Sequence, residues 1–280
     1  MNKIKKLVFH KNSSVVLCLF LLFTSILVAC YKAPVTGRNQ LILISESQER
    51  QMGLVAFQEI IKKEKLSKNT KYINAVKRIG DRIAKVSHTP NLDWEYKVID
   101  DDKTINAFAL PGGKVGVYTG IIKLAQTEAR LATVMAHEVA HATARHGGER
   151  VTTGILAQIG AAGLAVAMRN KDPKVVNGVL QAYGAGATVG VILPFGRSQE
   201  SEADRIGLLY MAKAGYDPRE SVKFWEQMAK KNKGRAQPPE FLSTHPGHNT
   251  RIKNLKKWMP EALEIYKKSK KAPNYKLAKK

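Results

Sequence analysis

From about Ser45 onward, apolar residues recur at three- and four-residue intervals, and that spacing predicts helices. In SESQERQMGLVAFQEIIKKEK, Met52, Val55, Ile60 and Ile61 fall near one face, with Ser45 or Ser47 placed to cap the first turn. TKYINAVKRIGDRIAKV carries Ile73, Val76, Ile79, Ile83 and Val86 at helical spacing. The period then drops to two. DWEYKVID, residues 93 to 100, alternates like a strand. TINAFAL, a PGG turn at 111–113 and KVGVYTG read as a hairpin in which glycine supplies the positive φ. ATVMAHEVAHATARHGG follows as a helix bracketed by Thr127 as N-cap and Gly147 as stop.

Residues 151 to 193 contain long runs without charge, rich in Gly and Ala and interrupted by Gln or Asn. Their lengths are marginal for spanning a bilayer, so buried helices packed through small residues are expected, with a transmembrane hairpin or an active-site lid as the alternatives. RSQESEADRIGLLYMAKAG is a further helix stopping at Gly215, and Asp217 and Pro218 open the next. A loop, AQPPEFLSTHPGHNTRI, leads to a last helix near 250 to 258. The lysine-rich end, 263–280, is low in apolar content and is expected to be disordered.

The amino-terminus changes the picture. A basic start leads into VVLCLFLLFTSILVA, residues 15 to 29, too short for a comfortable span and suited to the apolar core of a secretory signal. LVAC, residues 27 to 30, resembles the bacterial lipoprotein box, in which Cys30 is lipidated and becomes the first residue. The organisation expected is a signal peptide at 1–29, a lipidated tether at 30–44, a domain at 45–262 and the basic tail at 263–280. Tyr31 stands where an Asp would favour retention at the inner membrane, so a bacterial outer membrane facing the periplasm is the expected address. Cys18 would leave with the signal and Cys30 would be capped, so the fold cannot depend on disulfides. The net charge of +23 over 280 residues suits anionic partners such as envelope polymers, engaged through the basic tail; nucleic acid is not expected.

The chemistry sits in HEVAH. Positions four apart share one helix face, so His137 and His141 can point both imidazoles at one ion, and zinc takes nitrogen ligands. Glu138 projects beside that ion and can accept a proton from an attacking water, the arrangement of zinc peptidases. A metzincin would place Gly and His where this chain has Ala144 and Gly147, so that class is excluded. A downstream glutamate is the other source of a third ligand. QESEAD supplies Glu200, with Asp204 one turn later to hydrogen-bond the far nitrogen of a ligand histidine; the alternative for this cluster is a solvated acidic face.

Taken together, PVTGRNQLILIS, NAFALPGGKVGVYTG, EARLATVMAHEVAHATARHGGER, RSQESEADRIGLLYMAKAGYDP and LSTHPGHNTRI resemble the HtpX and CAAX-prenyl-endopeptidase type of zinc metallopeptidases, peptidase family M48. The resemblance covers roughly residues 35 to 260 and is nearest to bacterial lipoprotein and periplasmic quality-control members. It implies an α+β, predominantly helical, zincin-like domain with a small antiparallel sheet whose edge strand lines the cleft. By motif position it implies one zinc ion on His137, His141 and Glu200, with Glu138 as base. His245 matches a histidine that can approach the metal and restrain the enzyme. Asn106 and Ala107 would pair with the substrate backbone, and Arg251 is a candidate oxyanion donor. The function expected is a lipid-anchored zinc endopeptidase acting on misfolded or unassembled envelope proteins. The alternatives are an assembly factor or chaperone with suppressed proteolysis, and a binder of anionic polymers.

Overall fold

The structure, a computed structural model, describes residues 30–232, 241, 245 and 248–278. The signal segment 1–29 and most of the 233–247 loop lie outside the described residues.

Residues 30–44 form a hairpin rather than a loose tether. β1 (Cys30–Lys32) pairs antiparallel with β2 (Asn39–Leu41), and Ala33, Gln40 and Ile42 are buried. α1 (Glu46–Lys63) starts at Ser45, whose side chain and Gln48 form a reciprocal capping box. Its buried face is Glu49, Gly53 and Phe57, whereas Met52 and Val55 are exposed, which corrects the face expected from periodicity. The reason is steric. A Cβ on Gly53 would stand 2.0 Å from the carbonyl oxygen of Pro111, so only glycine lets this helix lie against the sheet turn. α2 (Thr70–Val86) is capped by Asn69 and buries Val76, Ile79 and Ile83.

The sheet order is β3-β5-β4, with β3 (Glu95–Ile99), β4 (Ala107–Leu110) and β5 (Lys114–Tyr118). β4 and β5 are the expected hairpin, turned by Gly112 and Gly113 at φ of +84° and +82°. β3, however, pairs parallel with β5, so the small sheet is mixed rather than antiparallel. β4 is left at an edge.

A short helix α3 (Thr119–Ala125) leads to α4 (Glu128–Thr143), the buried axis of the domain. Ala129, Ala132, Ala136 and Ala140 let neighbours approach closely. α4 ends at Thr143, not at Gly147. Arg145 takes the left-handed conformation (φ 53°) and starts α5 (His146–Ala167) directly. α6 (Pro173–Ala187), a π-turn (Thr188–Ile192) and α7 (Leu193–Lys213) run on as one helix of 41 residues. α7 crosses α4 at Gly207, where a Cβ would meet the backbone of Ala136 and His137 at 2.9 Å. α8 (Arg219–Asn232) and α9 (His248–Lys268) follow among the described residues.

Two further expectations are corrected. The end of the chain is ordered through Ala278, not disordered. Leu277 N–H donates to Gln126 O (2.7 Å), Glu128 N–H to Tyr275 O (3.1 Å) and Ala272 N–H to Gly215 O (2.9 Å), and Leu277 is buried. Few apolar residues suffice there because backbone hydrogen bonds hold the segment. Residues 151 to 193 are not buried helices: Ile159, Val166 and Val189 are each more than 60% exposed.

Candidate active site

α4 presents His137 and His141 on one face, as four-residue spacing demands. α7 brings Glu200 against them because Gly207 allows the two helices to touch. Glu200 Oε2 lies 3.2 Å from His137 Nε2, and its Oε1 3.3 Å from His141 Nε2. His245 Nδ1 lies 2.7 Å from Glu200 Oε2 and 3.2 Å from His137 Nε2. One donor atom from each of His137, His141, Glu200 and His245 falls within 4.8 Å of all the others, and all four residues are buried. Imidazole nitrogens and a carboxylate oxygen in that set suit zinc. The orientation suits it too, since Nε2 of both α4 histidines faces inward. Their outer nitrogens are backed by other side chains: Asp204 Oδ1 is 2.9 Å from His137 Nδ1, and His146 Nδ1 is 2.8 Å from His141 Nδ1.

The electrostatics favour a cation at this point. Burial pushes the His137 imidazole down, but the hydrogen bonds it donates to the Asp204 and Glu200 carboxylates overcome this and raise it to about 9. Burial would raise the Glu200 carboxyl, yet the surrounding His141, His137 and His245 hold it far below the usual carboxylate range. His141 is pushed down by burial, and Glu200 offsets this only in part.

Glu138 lies beside this group. Its Oε2 accepts from the Ala109 amide (3.1 Å), whereas Oε1 is buried without a hydrogen-bond partner among the described residues, 3.5 Å from His245 Nε2. Burial raises its pKa, against the pull of His245 and His137. A raised carboxylate with one unengaged oxygen has the character of a general base. The cleft in front of it, about 340 Å³, is lined by Asn106, Ala107, Ala109, Glu138, His141 and His245. Edge strand β4 thus forms one wall. The Ala107 amide is taken by the Asn106 side chain, so the strand amide that reaches the carboxylate is that of Ala109.

Arg251 does not fit an oxyanion donor. It is buried, donates Nε–H to Asp204 and Nη2–H to Glu200 (2.9 Å), contacts the His245 carbonyl and stacks 4.0 Å from the Trp225 ring centroid. Its guanidinium is committed to holding two carboxylates, because a buried arginine needs paired anions.

Sequence reasoning leaves His146 and Glu202 without a role, and the structure brings both in. His146 Nε2 lies 3.0 Å from Glu202 Oε2. Glu202 accepts from Arg38 Nη2 (2.7 Å) and from Thr36, and Arg38 also donates to Glu149 (2.7 and 2.8 Å). The chain His141–His146–Glu202–Arg38 therefore runs from the cleft to the β1–β2 hairpin. The only local signal is a histidine five residues after His141, and it becomes meaningful only because Arg145 reverses the backbone. An orienting partner of this kind is worth about 10–100-fold in metal affinity. His146→Ala is expected to weaken zinc binding by about that factor, read by chelator competition. Unchanged affinity would show that His146 only fills space.

Comparison with known proteins gives the same direction. The family model described as "Peptidase family M48" matches residues 71–259. The mitochondrial metalloendopeptidase OMA1 of Saccharomyces cerevisiae is 33% identical over 85% of this chain and 71% of its own length. Its human counterpart is 32% identical over 83% of this chain and 46% of its own. The beta-barrel assembly-enhancing protease of Escherichia coli is 30% identical over 78% of this chain and 45% of its own. The chain thus spans less than half the length of the last two. The bacterial outer-membrane address expected from LVAC is overturned here, because the yeast and human relatives, matched over more than four fifths of this chain, are mitochondrial.

Proposed function

Because the chain belongs to peptidase family M48 and so is a zinc-dependent metalloendopeptidase, we propose that it cleaves misfolded or unassembled membrane-associated proteins, with Glu138 as base and His137, His141 and Glu200 as metal ligands. The observation that carries the assignment of residues is the meeting of these donors within 4.8 Å beside a buried carboxylate with one unengaged oxygen. Zinc held by these residues would supply Lewis acidity toward the scissile carbonyl. Glu138 takes the proton of the attacking water on Oε1 while the Ala109 amide fixes Oε2, and then hands that proton to the leaving amine. Asp204 and His146 keep the two α4 imidazoles turned inward. The substrate lies along β4 as an added strand, so recognition is by main chain and tolerates many sequences. Low sequence demand suits a quality-control enzyme, and the name of the E. coli relative, a beta-barrel assembly-enhancing protease, supports substrates that fail to assemble. The LVAC motif supports an acyl tether on Cys30. Lys267, Lys268, Lys270 and Lys271 are exposed and supply the charge for an anionic partner.

One observation favours a restrained resting enzyme. His245 reaches both Glu200 and His137 and stands in front of Glu138, where a substrate carbonyl has to enter. In this second reading the protein assists assembly and cleaves little until His245 withdraws. Both readings are tested by measuring zinc content and chelator-sensitive cleavage of an unfolded polypeptide, wild type beside His245→Ala. One zinc per chain with chelator-sensitive cleavage supports the enzyme, and a several-fold rise in His245→Ala supports the restraint. Chelator-resistant cleavage removes the metal mechanism, and equal rates in the two proteins remove the restraint.

A further inference from the structure

Residues 151–168, through α5 to its capping residue Met168, form an uncharged run of 18, and residues 175–196, through α6 and the π-turn into α7, an uncharged run of 22. At 1.5 Å per residue these are about 27 and about 33 Å long, against about 30 Å for the hydrocarbon of a bilayer. Two ordinary explanations of such helices fail. A core helix would be covered, but only 6% of the most apolar window of α5 and none of that in the 41-residue helix is buried. A signal sequence would lie at the amino-terminus, and these do not.

The two arms pack on each other. The Tyr183 hydroxyl donates to the Ala157 carbonyl (3.2 Å) and sits over Gly160, where a Cβ would stand 2.2 Å from it. Their other faces carry Ile159, Val166, Val175, Val189, Val191 and Leu193, all exposed. The backbone stays helical throughout, so its polar groups are satisfied internally, as hydrocarbon requires. Charge stands only at the ends of the runs: Arg150 and Arg197 where the arms leave the domain, and Arg169, Lys171, Asp172 and Lys174 in the turn. Basic ends around an apolar middle match the anionic headgroup layers on either side of a membrane.

We propose that the α5–α6 hairpin crosses a lipid bilayer, with its 169–174 turn at the far face and Arg150 and Arg197 at the near headgroups. Glu200 follows Arg197 by three residues, about 4.5 Å along the same helix. The cleft therefore opens at the membrane surface, and the helix that carries Glu200 is anchored in lipid. This inference is independent of the peptidase reading.

The test uses the full chain in phosphatidylcholine–phosphatidylglycerol vesicles whose acyl chains carry bromine either near the headgroup or near the bilayer centre. A tryptophan is added at an exposed position, Ile159→Trp in the hairpin or Tyr275→Trp on the domain. Hydrolysis of a soluble unfolded polypeptide is followed separately, so that a failed peptidase and a failed membrane assignment are told apart. The added fluorescence of Ile159→Trp is expected to fall at least about twofold, most strongly with bromine near the centre, where the middle of a 30 Å span lies. That of Tyr275→Trp, at the far end of α4 from the hairpin, is expected to be unaffected. Absence of quenching at Ile159→Trp, or quenching strongest near the headgroup, overturns the crossing.

Discussion

Glu138→Gln is expected to lower turnover of an unfolded polypeptide by about 10²–10⁴-fold, the range for loss of a general base. The substitution keeps the side chain's shape, and its amide oxygen can still accept from Ala109, so the β4 wall and the cleft should hold. What is lost is the ability to take a proton at the unengaged oxygen. Glu138 is not among the four converging donors, so zinc content should stay at one per chain. Substrate affinity, set along the edge strand, should change little, and the loss should fall on kcat rather than KM. Wild-type turnover in this variant would remove Glu138 from the mechanism. A parallel loss of zinc would show that the residue supports the metal instead.

Glu200→Gln is expected to empty the site, reducing zinc from one per chain to a trace at ordinary free-zinc levels. Glu200 is the anion around which the group is built: His137, His141, His245, Arg150 and Arg251 all lie within 3.3 Å of its oxygens. Removing its charge also strips buried Arg251 of one of two carboxylates. Breaking a buried pair from one side costs about 3–5 kcal/mol, and Asp204 still partners Arg251, so the lower end, about 3 kcal/mol, is expected. At roughly 2–4 °C per kcal/mol for a domain of this size, the metal-free variant should melt about 6–12 °C below metal-free wild type. Full zinc retention would show that the remaining imidazoles hold the ion without it.

Both residues are legible in the sequence alone. HEVAH announces its geometry because helix periodicity is local, and QESEAD supplies carboxylates at the spacing of one turn. Arg251 is legible there only as a cation near the site. Which anions it meets depends on α9 packing beside α7, and the buried carboxylates Asp204 and Glu200 claim it. The role of His146 is hidden because it needs Arg145 in a left-handed turn, a conformation that no pattern of residue types announces for arginine. Periodicity points to the wrong face of α1 because glycine, not a large apolar residue, makes its closest contact.

By itself, the sequence determined what short-range chemistry determines: the capped helix starts at Ser45 and Thr127, the Gly112–Gly113 turn, the inward-facing pair on α4 and the membership of a zinc peptidase family. Tertiary structure alone decided the parallel pairing of β3, the backbone anchoring of the lysine-rich end, the chain from His141 to Arg38 and the bareness of the α5–α6 hairpin. The physical reason is range. Caps, turns and i,i+4 faces follow from bonds within a few residues, whereas burial and convergence depend on which distant element occupies the neighbouring space.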